Sequence, residues 1–237
     1  MSTPETSWET LWNQADLRAE WQEPAEEVRD LLLFLQPQQR RRVLDIGCGV
    51  GRHLLLFARA GFETYGIEPT DSGLSHCRAA LQRSGVTAHL LKGEMHDLSS
   101  FEAGFFDVVV CWHVIYHAYL ATIVTTLREI HRVLRPSGFL VITFNSTKNR
   151  HFGEGTEVEP HTFVGAHNKI DGDLPHHFST REEVLGLLES FRVISIEERE
   201  DTYAGQVAPQ TYHWRVIAQK QESLLDRFSN KEVSNEV

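Results

Sequence analysis

Three glycines follow an acidic side chain at the end of the chain's first strand-like apolar run. In VLDIGCGVGRH, residues 43–53, they are Gly47, Gly49 and Gly51, and Asp45 precedes them. Glycine permits positive φ and a close approach of backbone to ligand, while a helix starting at residue 51 would direct free N–H groups toward that ligand. Nicotinamide and flavin folds also use GxGxxG here, but Arg52 occupies the third position of that pattern. Asp45 instead suits a cationic amino-acid group, which a pyrophosphate ligand lacks.

Two more acidic residues follow the next predicted strands. The second strand ends in Gly66-Ile67-Glu68-Pro69, where Glu68 is placed to accept hydrogen bonds from ribose hydroxyls. The third ends in Lys92-Gly93-Glu94-Met95, which offers an acceptor for an exocyclic amine and an apolar side chain for a purine face. Ligands of open parallel sheets bind beyond the carboxyl ends of the strands, so these groups are expected to share one crevice.

Histidines follow the fourth predicted strand in CWHVIYH, residues 111–117. His113 and His117 are candidates for a base that orients or deprotonates a substrate, with Tyr116 beside them, although structural donors are the alternative. His113 and His117 could share one helical face. If His176 and His177 lay beside them, the four histidines could bind a metal ion. Thiolates and carboxylates are not spaced to complete such a set, so no metal is predicted.

The elements that position these groups alternate between strand and helix from residue 42 onward. This pattern is typical of a parallel sheet with helices on both faces. The expected strands are 42–47, 63–67, 88–92, 106–111, 139–144, 192–197 and 212–219. Expected helices cover 51–60, 71–84 and 120–134, the last ended by Pro136-Ser137-Gly138, and a fourth follows a capping box at Ser179/Glu182 or Thr180/Glu183. The predicted fold class is α/β, doubly wound, with a mostly parallel seven-stranded sheet and an N-terminal helical cap.

The cap is expected to occupy residues 1–37 and to contain two amphipathic helices. Trp8, Leu11 and Trp12 have helical spacing, Pro24 suits the first position of the second helix, and Pro37 marks its exit. Trp8, Trp12 and Trp21 are read either as core or as a roof over a cofactor. The main domain is expected at 38–220, with 146–178 as a substrate-side insertion or lid, and 221–237 is read as a polar tail.

Charge and composition exclude several classes of protein. The chain has 237 residues, a net charge of −10 and a pI near 5.7, whereas nucleic-acid binders normally carry a basic face. No apolar run approaches the roughly 20 residues of a membrane span. Cys48, Cys77 and Cys111 form no CxxC, which favours a reducing compartment and a cytoplasmic location. The oligomeric state stays open.

The ordered segments DIGCGVGRH, GIEP, GEM, FDVVVCWHVIYH and LRPSGFLVITF, across residues 40–145, resemble the Rossmann-like, class I S-adenosylmethionine-dependent methyltransferases. GCGVGRH is also similar to the compact small-molecule and tellurite-resistance-type branch. The resemblance implies S-adenosylmethionine as cofactor, with its methionine part on the glycine loop, its ribose at the acid after the second strand and its adenine at the acid after the third. The residues it implies as cofactor-binding are Asp45, Gly47, Cys48, Gly49, Gly51, Glu68, Pro69, Glu94, Met95 and Cys111, the last through its backbone. Glu94 departs from the aspartate that is commoner in the family.

The resulting functional hypothesis is methyl transfer to a small-molecule acceptor. The fourth strand is followed neither by Asn/Asp-Pro-Pro-Tyr/Phe, which would resemble nucleobase amine methylation, nor by Pro-Cys, which would resemble cytosine methylation. Asn145 and His161 are further candidates for the acceptor pocket, whereas His213 and Trp214 lie in a predicted strand and are read as packing. Two alternatives remain, a non-catalytic S-adenosylmethionine sensor or partner protein and a nicotinamide-dependent oxidoreductase that Arg52 disfavours.

Overall fold

The structure is a computed structural model that describes residues 4–35, 41–165, 174–203 and 206–221. Its helices are α1 (Pro4–Asn13), α2 (Ala15–Ala19), α3 (Glu26–Phe34), α4 (Arg52–Arg59), α5 (Asp71–Arg83), α6 (Leu120–Val133) and α7 (Arg181–Leu187). Its strands are β1 (Arg42–Ile46), β2 (Glu63–Glu68), β3 (His89–Lys92), β4 (Phe106–Cys111), β5 (Leu134–Ser146), β6 (Thr156–Glu159), β7 (Thr162–Val164), β8 (His176–Ser179), β9 (Phe191–Tyr203) and β10 (Gln206–Lys220).

The main sheet has the order β3-β2-β1-β4-β5-β10-β9. Strands β1 to β5 are parallel, and β10 is antiparallel to both β5 and β9. These seven strands are the seven that the sequence predicts, and the mostly parallel α/β sheet is confirmed, although β6, β7 and β8 extend it to ten strands rather than seven. Asp45 near the end of β1 is in register with Gly66 of β2 and Val110 of β4, which brings three strand ends to one edge.

The core lies on both faces of this sheet. Every residue of β4 is buried, as expected for a strand covered by helices on both sides. Val108 and Val110 pack into the cluster that contains α3, whereas Val109 and Cys111 pack into the cluster that contains Ile123 of α6. Alternate side chains therefore serve the two layers.

The N-terminal segment forms three helices among its described residues, where the sequence predicts two. The short α2 lies between the predicted helices α1 and α3. The predicted place of Pro24 at the first helical position is wrong, because Ala25 is extended at ψ 147° and is itself the N-cap. Pro24 thus precedes the cap, and Pro37 lies outside the described residues.

The predicted stop of the central helix is also wrong in detail. Helix α6 ends at Val133 and β5 begins at once at Leu134, so Pro136-Ser137-Gly138 lies inside a strand. Ser137 has φ 61°, and the pairing of β5 with β4 shifts register in this stretch. A bulge accommodates the residues that sequence reasoning assigns to a helix terminator.

Segment 146–178 contains short strands where its sequence shows no sustained period. β6 pairs antiparallel with β7, β7 with the start of β8, and the end of β8 continues the sheet beside Asn145 of β5. Glu159 Oε1 accepts hydrogen bonds from the Leu120 amide at 2.6 Å and from Thr162 Oγ1 at 3.0 Å. These bonds tie the segment to the start of α6. Residues 166–173, and the predicted tail beyond residue 221, lie outside the described residues.

Within the described residues, none of the helices is long and apolar enough to span a membrane.

Thr180 provides a test of the predicted capping box. It is the N-cap of α7, and its Oγ1 accepts a hydrogen bond from the Glu183 amide at 3.2 Å. Thr180→Ala is expected to lower the free energy of unfolding by about 1 kcal/mol, because the helix loses that partner. Urea denaturation measures the change. Thr125→Ala, at an exposed position of α6, is the control and should stay within about 0.5 kcal/mol; equal losses in both variants would contradict the assignment.

Candidate functional site

The loop from β1 into α4 passes unusually close to its neighbours. Gly47 has φ 66°, and a Cβ there would lie 2.5 Å from Val114 Cγ2. Gly49 has φ 51°, and its Cβ would lie 2.6 Å from the Trp12 ring. Both positions therefore exclude side chains by conformation and by space. Gly51 is the N-cap of α4. The helix therefore begins at Arg52, one residue after the predicted start.

Asp45 is a buried carboxylate with one unsatisfied oxygen. Its side chain is 3% exposed, and its Oδ1 lies 3.6 Å from His53 Nδ1. Burial lowers the pKa of His53, so that imidazole is neutral near pH 7 and brings no compensating charge. Among the described residues, Oδ2 has no hydrogen-bond partner. A buried carboxylate in this condition fits a cationic group of a ligand.

Glu68 lies at the end of β2 and is 3% exposed. Its Oε2 accepts a hydrogen bond from the Gly49 amide at 3.0 Å, and its Oε1 accepts one from Trp12 Nε1 at 3.3 Å. Thr70 Oγ1 donates to the same Oε1 at 2.5 Å. Burial raises the pKa of Glu68, and these donors oppose that shift. The carboxylate thereby joins β2, the glycine loop and the N-terminal helices.

Two cavities meet at this edge of the sheet. The smaller, about 90 Å³, is lined by residues that include Trp12, Cys48 and Glu68. The larger, about 830 Å³, is lined by residues that include Glu94 and Met95. The residues that line both are Trp8, Gly47, Pro69, Val114 and His117. The cavities are therefore neighbours along one crevice.

The structure brings most of the predicted cofactor residues to this crevice. Gly47, Cys48, Gly49, Glu68 and Pro69 line the smaller cavity, and Glu94 and Met95 line the larger. Asp45, Gly51 and Cys111 do not line either cavity. Cys111 is fully buried at the end of β4, where burial raises the pKa of its thiol and keeps it neutral. Any contact of Cys111 with a ligand would be through its backbone.

The predicted catalytic residues also lie together. His113 Nδ1 is 2.9 Å from the Tyr116 hydroxyl, and the His117 ring centroid is 4.8 Å from that of Trp8. The predicted helical face of His113 and His117 is wrong, because residues 112–119 form turns before α6 begins. His113 has φ 59°, a strained conformation for a residue with a Cβ. Both histidines nevertheless line the smaller cavity.

A buried polar network adds residues that the sequence analysis missed. His213 Nδ1 lies 2.6 Å from Asp201 Oδ2, and Arg215 binds the other oxygen of Asp201 at 3.2 Å. His213, predicted to pack in a strand, does lie in β10 but faces this carboxylate. Asp201 follows the charged run Glu197–Glu200, which by itself indicates a solvated strand edge. The pairing of β9 with β10 is what places Asp201 in the protein interior.

The side chains of His177 and His161 have partners other than Asp201. His177 Nδ1 is 2.8 Å from Thr162 Oγ1 and its Nε2 is 3.3 Å from Glu183, in the segment after β5. His161 is 3.5 Å from Glu183 as well. Among the described residues, the group with metal-ligand spacing is His113, Asp201 and His213, not the four histidines of the sequence-based suggestion.

The chain is similar in sequence to known methyltransferases. The uncharacterised methyltransferase YbaJ of Bacillus subtilis (strain 168) is 28% identical over 179 residues, covering 73% of this chain and 67% of that protein. The ubiquinone biosynthesis O-methyltransferase of Bordetella avium (strain 197N) is 31% identical over 147 residues, covering 62% and 55%. The chain spans about half the length of several curated relatives that it matches.

The fold has close parallels among solved structures. A SAM-dependent methyltransferase of Methanosarcina mazei superposes with a TM-score of 0.68 at 21% identity, covering 85% of this chain and all of that one. Residues 44–142 match the family model described as a methyltransferase domain. The chain thus has the Rossmann-like fold of these methyltransferases, and the similarity of residues 44–142 to a methyltransferase domain agrees with the family and cofactor that the sequence predicts.

The buried state of Glu68 predicts a specific pH dependence of stability. Its folded pKa lies above the unfolded value, so the wild type loses stability as pH rises from about 4.3 through the folded pKa. Glu68→Gln cannot ionise. The free energy of unfolding of the variant minus that of the wild type should therefore increase with pH above about 4.3. Urea denaturation between pH 4 and 8 measures this difference.

Glu63→Gln, on the same strand, is the matched control with the opposite sign. The hydrogen bond from Tyr65, with help from Arg42, lowers the pKa of Glu63. The stability that ionised Glu63 contributes is present above its unfolded pKa and is lost as pH falls through the folded value. Its variant-minus-wild-type difference should become more negative as pH rises from acid toward about 4.3. A Glu68→Gln difference that is constant with pH would show that Glu68 is not desolvated.

Proposed function

We propose that this protein transfers a methyl group from S-adenosylmethionine to a small-molecule acceptor. The observation that carries the proposal is the buried Asp45, whose Oδ2 has no partner among the described residues and lies in the strand that leads into the glycine loop. The cofactor, when bound, supplies a methyl group made electrophilic by its sulfonium. A cationic ammonium group on its amino-acid end would satisfy Asp45.

Each strand end then has a role in holding the cofactor. Gly47 and Gly49 leave room for close approach of the ligand, and the carboxylate of Glu68 is placed for ribose hydroxyls. Glu94 would accept from the adenine amine and Met95 would pack on the purine face, since both line the larger cavity. Cys48, Gly51, Pro69 and the backbone of Cys111 complete the set proposed from the family resemblance.

The cap closes the site with aromatic side chains. Three tryptophans of the cap line the smaller cavity: Trp8, Trp12 and Trp21. This supports the interpretation that they cover the cofactor rather than only pack in the core. Aromatic faces attract a sulfonium and exclude water. Because methyl transfer is an in-line displacement, the enclosed site contributes mainly alignment.

A small molecule is the acceptor that the site favours. The larger cavity, about 830 Å³, lies within the usual size range of small-molecule sites. Thr156, Val164 and Leu174 of the segment at 146–178 line it, which supports a substrate-side role for that segment. The net charge of −10 disfavours nucleic acid. The Bordetella avium relative is a ubiquinone biosynthesis O-methyltransferase, which is consistent with this class of acceptor.

Binding of S-adenosylhomocysteine tests the cofactor site. Glu68→Ala and Asp45→Asn should each weaken its binding by about 1 to 3 kcal/mol, because each removes a buried partner. Isothermal titration calorimetry measures the affinities. Glu63→Ala, on the same strand but away from both cavities, is the control and should bind as the wild type does. Stabilisation by NADH with no response to S-adenosylhomocysteine would contradict the proposal.

Transfer itself is tested with methyl-labelled S-adenosylmethionine and a pool of phenols, thiols, amines and carboxylic acids. A labelled product is expected, and Asp45→Asn should reduce its yield in proportion to the loss of cofactor affinity. The same pool without enzyme is the control. Binding of the cofactor without any labelled product would favour the sensor alternative over the enzyme.

A further inference from the structure

We propose that Asp201 and His213 complete a proton-accepting network with His113 and Tyr116, and that the acceptor is therefore a neutral hydroxyl compound such as a phenol or enol. This inference rests on the proposed methyl transfer. It adds two residues, from strands far along the chain, to the groups around the acceptor. Asp201 and His213 act as positioning residues, through His113.

The network is assembled from three separate elements. His113 and Tyr116 follow β4, Asp201 lies in β9, and His213 lies in β10. Asp201 Oδ2 is 2.6 Å from His213 Nδ1 and 3.9 Å from His113 Nε2. His113 Nδ1 is 2.9 Å from the Tyr116 hydroxyl. All four side chains are buried, with residue exposures of 9% or less.

The negative charge of Asp201 favours the His113 tautomer that carries its proton on Nε2. The Oδ1 of Asp201 accepts a hydrogen bond from Arg215, which also pairs with Glu27 at 2.7 Å, so the Arg215 charge is shared by two acids. Asp201 Oδ2 is 3.9 Å from His113 Nε2, which is beyond hydrogen-bond length, so the carboxylate acts by its charge and favours an Nε2–H on that side of the ring. The lone pair of His113 then lies on Nδ1, and Tyr116 donates its hydroxyl proton to that atom.

This arrangement makes His113 a base. Burial lowers the pKa of His113 well below its usual value, while the Asp201 carboxylate opposes that shift. The groups that face His113 are Asp201 of β9, His213 and Arg215 of β10, Arg52 of α4, and Tyr116. His113 is thus neutral and able to accept a proton, and the charge of Asp201, 3.9 Å away, stabilises the imidazolium that results.

The base lies beside the proposed cofactor loop. His113 lines the smaller cavity together with Gly47. During transfer the acceptor oxygen forms a new O–CH₃ bond while the S–CH₃ bond breaks and its electron pair stays on sulfur. The proton released from the acceptor hydroxyl passes to Nδ1 of His113, which lines the cavity, and the Tyr116 hydroxyl behind it then accepts a hydrogen bond from that nitrogen. A hydroxyl of pKa near 10 needs this base at neutral pH, whereas a thiolate does not.

A bound cation is the competing use of the same atoms. The ligand atoms of His113, Asp201 and His213 lie within 4.8 Å of one another. Arg215, at 3.2 Å from Asp201, already supplies positive charge to the carboxylate. This contact favours the hydrogen-bonded network.

The pH profile of methyl transfer to a phenol tests the proposal. Asp201→Asn should lower kcat at least 100-fold, within the range for general base catalysis, with KM changed less than about 3-fold. The acid limb of the profile should move to lower pH, because the variant lacks the charge that raises the pKa of His113. Turnover of a thiol acceptor should change less than about 3-fold, since its thiolate needs no base.

Asp107→Asn is the matched control. Asp107 is also a strand carboxylate, 7% exposed, and it pairs with Arg135 rather than with the site. Its profile should equal that of the wild type. An unchanged acid limb in Asp201→Asn, or equal losses with phenol and thiol, would overturn the network. Failure of the wild type to bind S-adenosylhomocysteine would instead overturn the proposed function.

A second measurement does not depend on the acceptor. ¹⁵N NMR of the His113 ring should show the Nε2–H tautomer in the wild type and loss of that preference in Asp201→Asn. His213→Gln, which retains Asp201 and Arg215, serves if Asp201→Asn does not fold, and it should keep the tautomer while slowing transfer to phenols. Equilibrium dialysis against Zn²⁺ should show no stoichiometric binding. One Zn²⁺ retained per chain and lost in either variant would overturn the proposal in favour of a metal site.

Discussion

The hydrogen bond between the Gly49 amide and Glu68 Oε2 connects the two strand ends on which the site depends. It is 3.0 Å long and spans the glycine loop of β1 and the end of β2. The loop reaches this position only because Gly47 and Gly49 carry no side chains where Val114 and Trp12 approach. The close packing of the glycine loop thus allows its backbone to reach the Glu68 carboxylate.

Burial of charge is the second consequence of that packing. Asp45 and Glu68 are each about 3% exposed or less and lie at the ends of adjacent strands. Two desolvated carboxylates are costly unless donors or cations satisfy them. Glu68 obtains donors from the loop, from Thr70 and from the cap, whereas Asp45 retains an oxygen without a partner among the described residues. A ligand that is cationic at one end and carries hydroxyls at the other matches this pair.

The features encoded locally were predictable from sequence. Apolar runs such as β4 and the DIGCGVG loop specify strand, turn and helix start within a few residues, and the parallel order places their ends at one edge. The details that failed depend on pairing between distant segments. Pro136-Ser137-Gly138 looks like a helix stop, yet the register of β5 against β4 places it in a bulge. Pro24 differs by two positions because Ala25 is still extended as the N-cap, and Glu26 is the first residue of α3.

The candidate catalytic residues show the same difference between features encoded locally and features that depend on distant segments. His113, Tyr116 and His117 were identifiable because they directly follow a strand end, although the turns that arrange them were not. Asp201 was missed because it continues a charged run on a strand, and no local pattern distinguishes a buried acid there from a solvated one. Its contacts with His213 and Arg215 follow from the β9–β10 pairing and from the position of α3.

A crystal structure of the protein with S-adenosylhomocysteine tests the central claim most directly. The account predicts ligand density in the crevice between the cap and the sheet, with the ammonium group within hydrogen-bond distance of Asp45 Oδ2 and ribose oxygens at Glu68. Density for the ligand elsewhere, or a crevice that remains filled by the tryptophans at saturating ligand, would contradict it.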